Sequence, residues 1–335
     1  METPMSRKLL TLSLTATLMG GTAFADAPRV AVDIAPVHSL VARVMEGVGT
    51  PDLIIQAGAS PHEYSLRPSE AAALQDANLV FWIGSGLTPW LTDTIETLAP
   101  NANVTELLEA DGTIELEFRE GALFEAHDDH EEEGHDDHDD EKADHDDHSD
   151  DDHDDEEAGH DEHEHGDHDP HAWLSPQNAM TWMNVIAGQL SAADPDNAGA
   201  YFANAAAGRA EIKVLIGEVT ATLDPVRDGR FIVFHDAYQY FETDFNFPAS
   251  GAISISDASD PSPARIAEIQ DRIAEQGIDC VLAEPQFNPG LIATVLEGSN
   301  AQTGILDPLG SDLEPGSALY PQLIRNLSTA LAGCM

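Results

Sequence analysis

Short β-rich runs alternate with helical stretches twice along this 335-residue chain, and that alternation most limits its fold. RVAVDI (29–34), DLIIQ (52–56), NLVFWIG (78–84) and NVTEL (103–107) are four strand candidates with helical sequence between them. RFIVF (230–234), AISIS (252–256), IDCVLAEP (278–285) and TGILDP (303–308) repeat the pattern near the C-terminus. Two helical stretches separate the sets. The first begins at Ser175-Pro176, a side-chain cap followed by a first-turn proline. The second opens at Asp194-Pro195 and closes at Pro225, with Phe202, Ala205, Ile212, Leu215, Ile216, Val219 and Leu223 at helical spacing. The expected fold is α/β: two (β/α)4 lobes, each with a four-stranded sheet, joined by one long α-helix, with a cleft between the lobes. The expected divisions are an N-terminal lobe at 26–192, a linking helix at 193–225 and a C-terminal lobe at 226–335.

One segment cannot join either core. Residues 127–168 hold 11 of the 15 histidines and 24 of the 62 acidic residues, with neither a helical nor a strand period. They read as a disordered insertion within the N-terminal lobe. The run carries −23 of the chain's net charge of −48. Such a chain repels nucleic acid and anionic membranes and attracts cations.

The N-terminus reads as an export signal. Arg7 and Lys8 precede an apolar run from Leu9 to Met19, and Ala23-Phe24-Ala25 supplies an A-x-A cleavage site before Asp26. No other stretch is long and apolar enough to span a bilayer. Residues 1–25 are therefore expected to be removed, leaving a soluble protein in the periplasm. In an oxidising compartment, Cys280 and Cys334 are read as a disulfide rather than a redox pair. The chain-entropy argument assigns such a loop about 4 kcal/mol as an upper guide.

Four histidines lie outside the run: His38, His62, His171 and His235. His62 is in the loop after strand 52–56, and His235 directly follows RFIVF. His171 follows the insertion, just before a helix. In open α/β sheets, ligands bind beyond the carboxyl ends of the strands. His62, His171 and His235 are placed to converge there, and Asp307 stands in the same relation to strand 303–306. Three imidazoles and a carboxylate suit tetrahedral Zn²⁺. His38 sits at the start of an amphipathic helix and reads as a structural residue.

GASPHEYSLRPSEAAALQDANLVFWIG, DPHAWLSP, RFIVFHDAYQYFE, CVLAEPQFNP and GILDPLGSDLEPG occur in this order and span nearly the whole mature chain. Together they resemble the ZnuA-type zinc-binding proteins of bacterial ABC importers, a solute-binding family that also serves manganese. The resemblance implies two α/β lobes, a long linking helix and zinc in the cleft. It places the histidine ligands on His62, His171 and His235 and the final acidic position on Asp307. It also implies the Cys280–Cys334 disulfide. The fourth ligand is left between Asp307, water and a histidine of the insertion, because Pro61 stands where some relatives carry an acid. Manganese members place a carboxylate where His235 stands, and three imidazoles favour zinc.

The function implied is periplasmic capture of Zn²⁺ by a monomer and its delivery to an ABC permease at the inner membrane, with zinc as cargo and not as a catalytic cofactor. The histidine run would act as an auxiliary collector or sensor. The alternative is a zinc buffer or chaperone working mainly through that run. A metallohydrolase is disfavoured: Glu63 is available as a base beside His62, but H-E-x-x-H does not occur.

Overall fold

A strand forms in each of the eight β-rich runs. The computed structural model describes residues 27–119, 124, 168–254, 261–287 and 289–335. The signal-peptide reading, and the insertion up to residue 167, lie outside the described residues. The first sheet comprises β1 (Val30–Val32), β2 (Asp52–Leu53), β3 (Leu79–Trp82) and β4 (Asn103–Glu106), in the order β2-β1-β3-β4. The second comprises β5 (Phe231–His235), β6 (Ala252–Ser254), β7 (Cys280–Ala283) and β8 (Gln302–Ile305), in the order β6-β5-β7-β8. Every pairing is parallel, so the second sheet repeats the topology of the first.

The central strands β1, β3 and β5 are buried along their whole length. Helices cover both faces of a parallel sheet, and this is why these runs are continuously apolar instead of alternating. The edge strands β4 and β8 carry exposed residues and read as more polar. Beyond the strand ends, Asp33 continues the contact between β1 and β3. Its carboxylate accepts the backbone N–H groups of Ile34 and Ile83, each at 2.7 Å. Burial pushes the Asp33 carboxyl up to about 7, against the pull of those two N–H groups.

The helices of the first half are α1 (Ala35–Val44), α2 (Pro68–Asp76) and α3 (Pro89–Leu98). His38, on α1, is buried, and its Nε2 lies 3.1 Å from the Pro51 carbonyl, so it is a structural histidine. α4 (Pro176–Ala193) starts where the sequence places it: Ser175 Oγ accepts the Asn178 N–H at 3.1 Å. α5 (Ala198–Leu223) is the long helix, 26 residues or about 39 Å. Its buried stripe is Tyr201, Ala205, Gly208, Ile212, Leu215, Val219 and Leu223. This corrects the sequence reading at the start of the stripe, since Phe202 is 53% exposed. Tyr201 takes the inward position because its hydroxyl reaches Asp194 Oδ2 at 2.9 Å. Gly208 allows α4 and α5 to approach closely; a Cβ there would stand 2.7 Å from the Met183 sulfur.

The second half adds α6 (Gln239–Phe245), α7 (Pro263–Gln276), α8 (Pro289–Val295) and α9 (Leu319–Cys334). α9 packs against α5, α1 and β8. The Cys280–Cys334 disulfide fastens α9 to β7, with Cα atoms 5.7 Å apart. A single apolar core runs from Val30 and Phe81 of the first sheet, through α1, α4, α5 and α9, to Val233 and Leu282 of the second. A smaller cluster around Ile232, Ile253, Ile269 and Val281 fills the other face of the second sheet. No helix among the described residues is long and apolar enough to cross a membrane.

Candidate metal centre

Three imidazoles from three separate segments meet between the sheets. The His171 ring centroid lies 5.6 Å from that of His62 and 5.2 Å from that of His235. Ser60, Pro61, Trp173, Glu284, Gln286, Phe287, Pro308 and Leu309 complete the cleft. The space among these side chains is about 10 Å³, enough for one ion or water.

His62 is half-buried on the loop between β2 and α2. Trp90, at the start of α3, donates its indole N–H to the Pro61 carbonyl at 2.8 Å. Tyr64 packs at a tilt against Trp90, and its hydroxyl donates to Glu70 Oε1 at 2.9 Å. The other Glu70 oxygen accepts the Arg67 N–H at 2.7 Å, closing a capping box at α2. A loop carrying a Gly-Ala-Ser-Pro sequence is thus held on both sides of its histidine.

His171 is buried at the head of a single 3₁₀ turn, Ala172–Leu174. Asp169 Oδ1 accepts the His171 backbone N–H at 3.0 Å and lies 2.7 Å from Nδ1. His235 is the last residue of β5, and its Nδ1 lies 2.7 Å from Glu284 Oε1. Glu284 directly follows β7, the strand paired with β5. A carboxylate beside Nδ1 keeps the proton on that nitrogen and makes Nε2 the lone-pair nitrogen, the arrangement a metal-binding histidine needs. Burial raises the Asp169 carboxyl to about 7, opposed first by the His171 N–H and then by the charge of Arg119. Burial also raises Glu284, opposed by its contacts with His235.

Asp307 is placed differently from the three histidines. Its Oδ1 accepts the N–H groups of Leu309 and Gly310 at 3.0 and 2.9 Å, and its Oδ2 accepts that of Ser311 at 2.6 Å. The carboxylate organises its own loop, and its neighbours Pro308 and Leu309 line the cleft. Trp173 fixes this loop by donating its indole N–H to the Pro308 carbonyl at 2.8 Å. Glu63, beside His62, is exposed and lies outside the cleft lining.

Asp169 and Glu284 are the residues that sequence reasoning did not assign. Each had a signal. Asp169 precedes His171 by two residues in DPH. Glu284 ends β7, so the strand-end rule that selected His235 applies to it equally.

The profile of the family described as ZnuA, zinc-uptake complex component A periplasmic, matches residues 30–334. The high-affinity zinc uptake system protein ZnuA of Brucella abortus (strain 2308) is 48% identical over 306 residues, 91% of each chain. The protein of the same description from Paracoccus denitrificans (strain Pd 1222) is 47% identical over 312 residues, 93% of each chain. Among solved structures, a crystal structure of ZnuA superposes with a TM-score of 0.69 at 22% identity, covering 92% of this chain and 99% of that one. The solute-binding protein FpvC from Pseudomonas aeruginosa, in complex with Mn²⁺, gives 0.71 at 20% identity, covering 92% and 98%. The profile covers nearly all of the described chain and these relatives are close to half identical over nine-tenths of it, and the protein belongs to the ZnuA family of zinc-uptake components.

Proposed function

We propose that this protein captures Zn²⁺ in the periplasm and passes it to the permease of an ABC importer. The observation that carries this reading is the convergence of His62, His171 and His235 around an ion-sized space. Three imidazoles give a donor set suited to zinc; a set richer in carboxylates would suit manganese. Two of the rings are oriented by buried carboxylates, which raises their basicity as ligands. The fourth position falls to Asp307, to water or to a histidine of the run.

Residues 1–25 act as the export signal and are removed near Ala25. The mature chain works as a monomer without nucleic acid or a catalytic role. Its histidine run is an auxiliary collector that raises the local zinc concentration beside the cleft.

Zinc titration of the metal-free protein tests this reading. One tight site is expected, and it survives deletion of residues 127–168. Replacing His62, His171 or His235 with alanine weakens it strongly. Wild-type affinity in any one of these variants removes that residue from the ligand set. Loss of the tight site on deleting the run would favour the buffer reading instead.

A further inference from the structure

The segment that enters the insertion and the segment that leaves it form a short antiparallel stem. Glu117 pairs with His168, and the Asp169 N–H donates to the Leu116 carbonyl at 2.8 Å. This stem belongs to the chain between β4 and α4, yet the first turn of α6 grips it. The Tyr240 hydroxyl donates to the Asp169 carbonyl at 2.7 Å and accepts the Leu116 N–H at 3.0 Å. Gln239, with its amide nitrogen turned to the stem, reaches Asp169 Oδ2 at 3.2 Å and the Glu117 carbonyl at 3.1 Å. Arg119, two residues beyond Glu117, crosses to the same region. Its guanidinium donates to both carboxylate oxygens of Asp236 and to Glu242, with Nη1 2.7 Å from Glu242 Oε2. It also lies 3.6 Å over the Phe124 ring.

These contacts touch residues beside two of the cleft histidines. Asp236 is the residue after His235, and α6 follows directly. Asp169 is the residue that orients His171. The three side chains are largely removed from water, with Arg119 17% exposed and its two acidic partners 10% and 5%. Glu242 is held from behind by the Ala249 N–H at 3.0 Å, so it offers a fixed anchor.

We infer that Arg119 is a positioning residue for metal capture: its fork onto Asp236 and Glu242 locks α6 to the insertion stem and so fixes His171 and His235 at binding distance before the ion arrives. A guanidinium suits this task because it engages two carboxylates in one plane, which an ammonium cannot do. A ring spacing set in advance spares the ion the cost of ordering two segments. The inference rests on the histidine ligand set proposed above and adds a residue that never touches the metal.

The test compares wild type with Arg119→Ala, Arg119→Lys and His171→Ala in the full chain. Three quantities are read: the zinc dissociation constant, the zinc release rate, and the visible absorption of bound Co²⁺, which reports tetrahedral geometry. Arg119→Ala is expected to weaken zinc about tenfold, as for other residues that act behind metal ligands. Release should quicken by a similar factor, and the Co²⁺ bands should broaden or shift. Arg119→Lys should fall between wild type and alanine, and it serves as the working variant if the alanine chain fails to fold. Wild-type affinity, release and spectrum in the Arg119 variants would overturn the inference. So would a lowered melting temperature with an unchanged Co²⁺ spectrum and release rate, which marks general loosening. His171→Ala separates the two readings: if it retains zinc, the ligand set is wrong, and if it alone loses zinc, only the role of Arg119 is wrong.

Discussion

His235 and Glu284 sit at the carboxyl ends of adjacent parallel strands, with Nδ1 and Oε1 2.7 Å apart. The pairing of β5 with β7 therefore places a carboxylate behind a candidate zinc ligand, with no loop required to find it. Asp169 does the same for His171 through a two-residue turn.

Glu284→Gln and Asp169→Asn should each lower zinc affinity by about 10–100-fold. An amide still accepts a hydrogen bond but supplies no charge to raise the basicity of the imidazole. Competition with a chelating dye measures the effect. Loss of less than twofold in both variants would show that the carboxylates serve only the fold.

Trp90→Phe removes the indole bond to the Pro61 carbonyl while keeping most of the ring. The loop carrying His62 then gains freedom, and zinc release should quicken by a few-fold, since one neutral hydrogen bond contributes about 1 kcal/mol. Stopped-flow chelation reads this rate. A rate equal to wild type would place the control of the loop in Tyr64 and Glu70.

The metal-free protein should lose stability on acidification partly through His38. Burial lowers its pKa from the ordinary 6.5, while the Pro51 carbonyl pulls the other way. The folded state therefore binds fewer protons than the unfolded chain below about pH 6.5, and stability falls with pH in that range. Charging the ring would also add an N–H at the buried Nδ1, which has no hydrogen-bond partner among the described residues. His38→Gln should reduce the loss of melting temperature between pH 7 and pH 5. An equal loss in both chains would shift the acid sensitivity elsewhere.

Cys280→Ser with Cys334→Ser should destabilise the fold by about 2–4 kcal/mol and leave zinc affinity within about threefold of wild type. The bridge joins β7 to the last turn of α9, and none of the cleft-lining residues belongs to it. Denaturant unfolding and zinc titration on the same sample separate the two effects. A matching collapse of affinity would tie α9 to the metal centre.

The strands were legible because parallel strands buried on both faces must be continuously apolar, as in LVFW of β3 and FIVFH of β5. The strand-end rule brought His62, His171 and His235 forward for a physical reason: ligands collect where parallel strands stop. It did not single out Glu284. Asp307 spends its oxygens on three N–H groups of its own turn, and this depends on loop geometry that no spacing encodes. Glu284 depends on which strand lies beside β5. Phe202 was placed on the buried stripe of α5 because its apolarity fits, whereas the polar tip of Tyr201 found a buried acceptor that only the packed structure supplies.

The apolar core that continues from the first sheet through α1, α4, α5 and α9 to the second has a thermodynamic consequence. Neither half can expose its inner sheet face without also opening the other, so melting should be a single calorimetric event. Any free energy released when an ion enters the cleft is then felt by the whole chain. A ligand at a thousandfold excess over its dissociation constant adds about 4 kcal/mol to folding. The heat stability of the intact molecule thereby becomes a gauge of metal occupancy, readable without a label and graded with the concentration of free zinc.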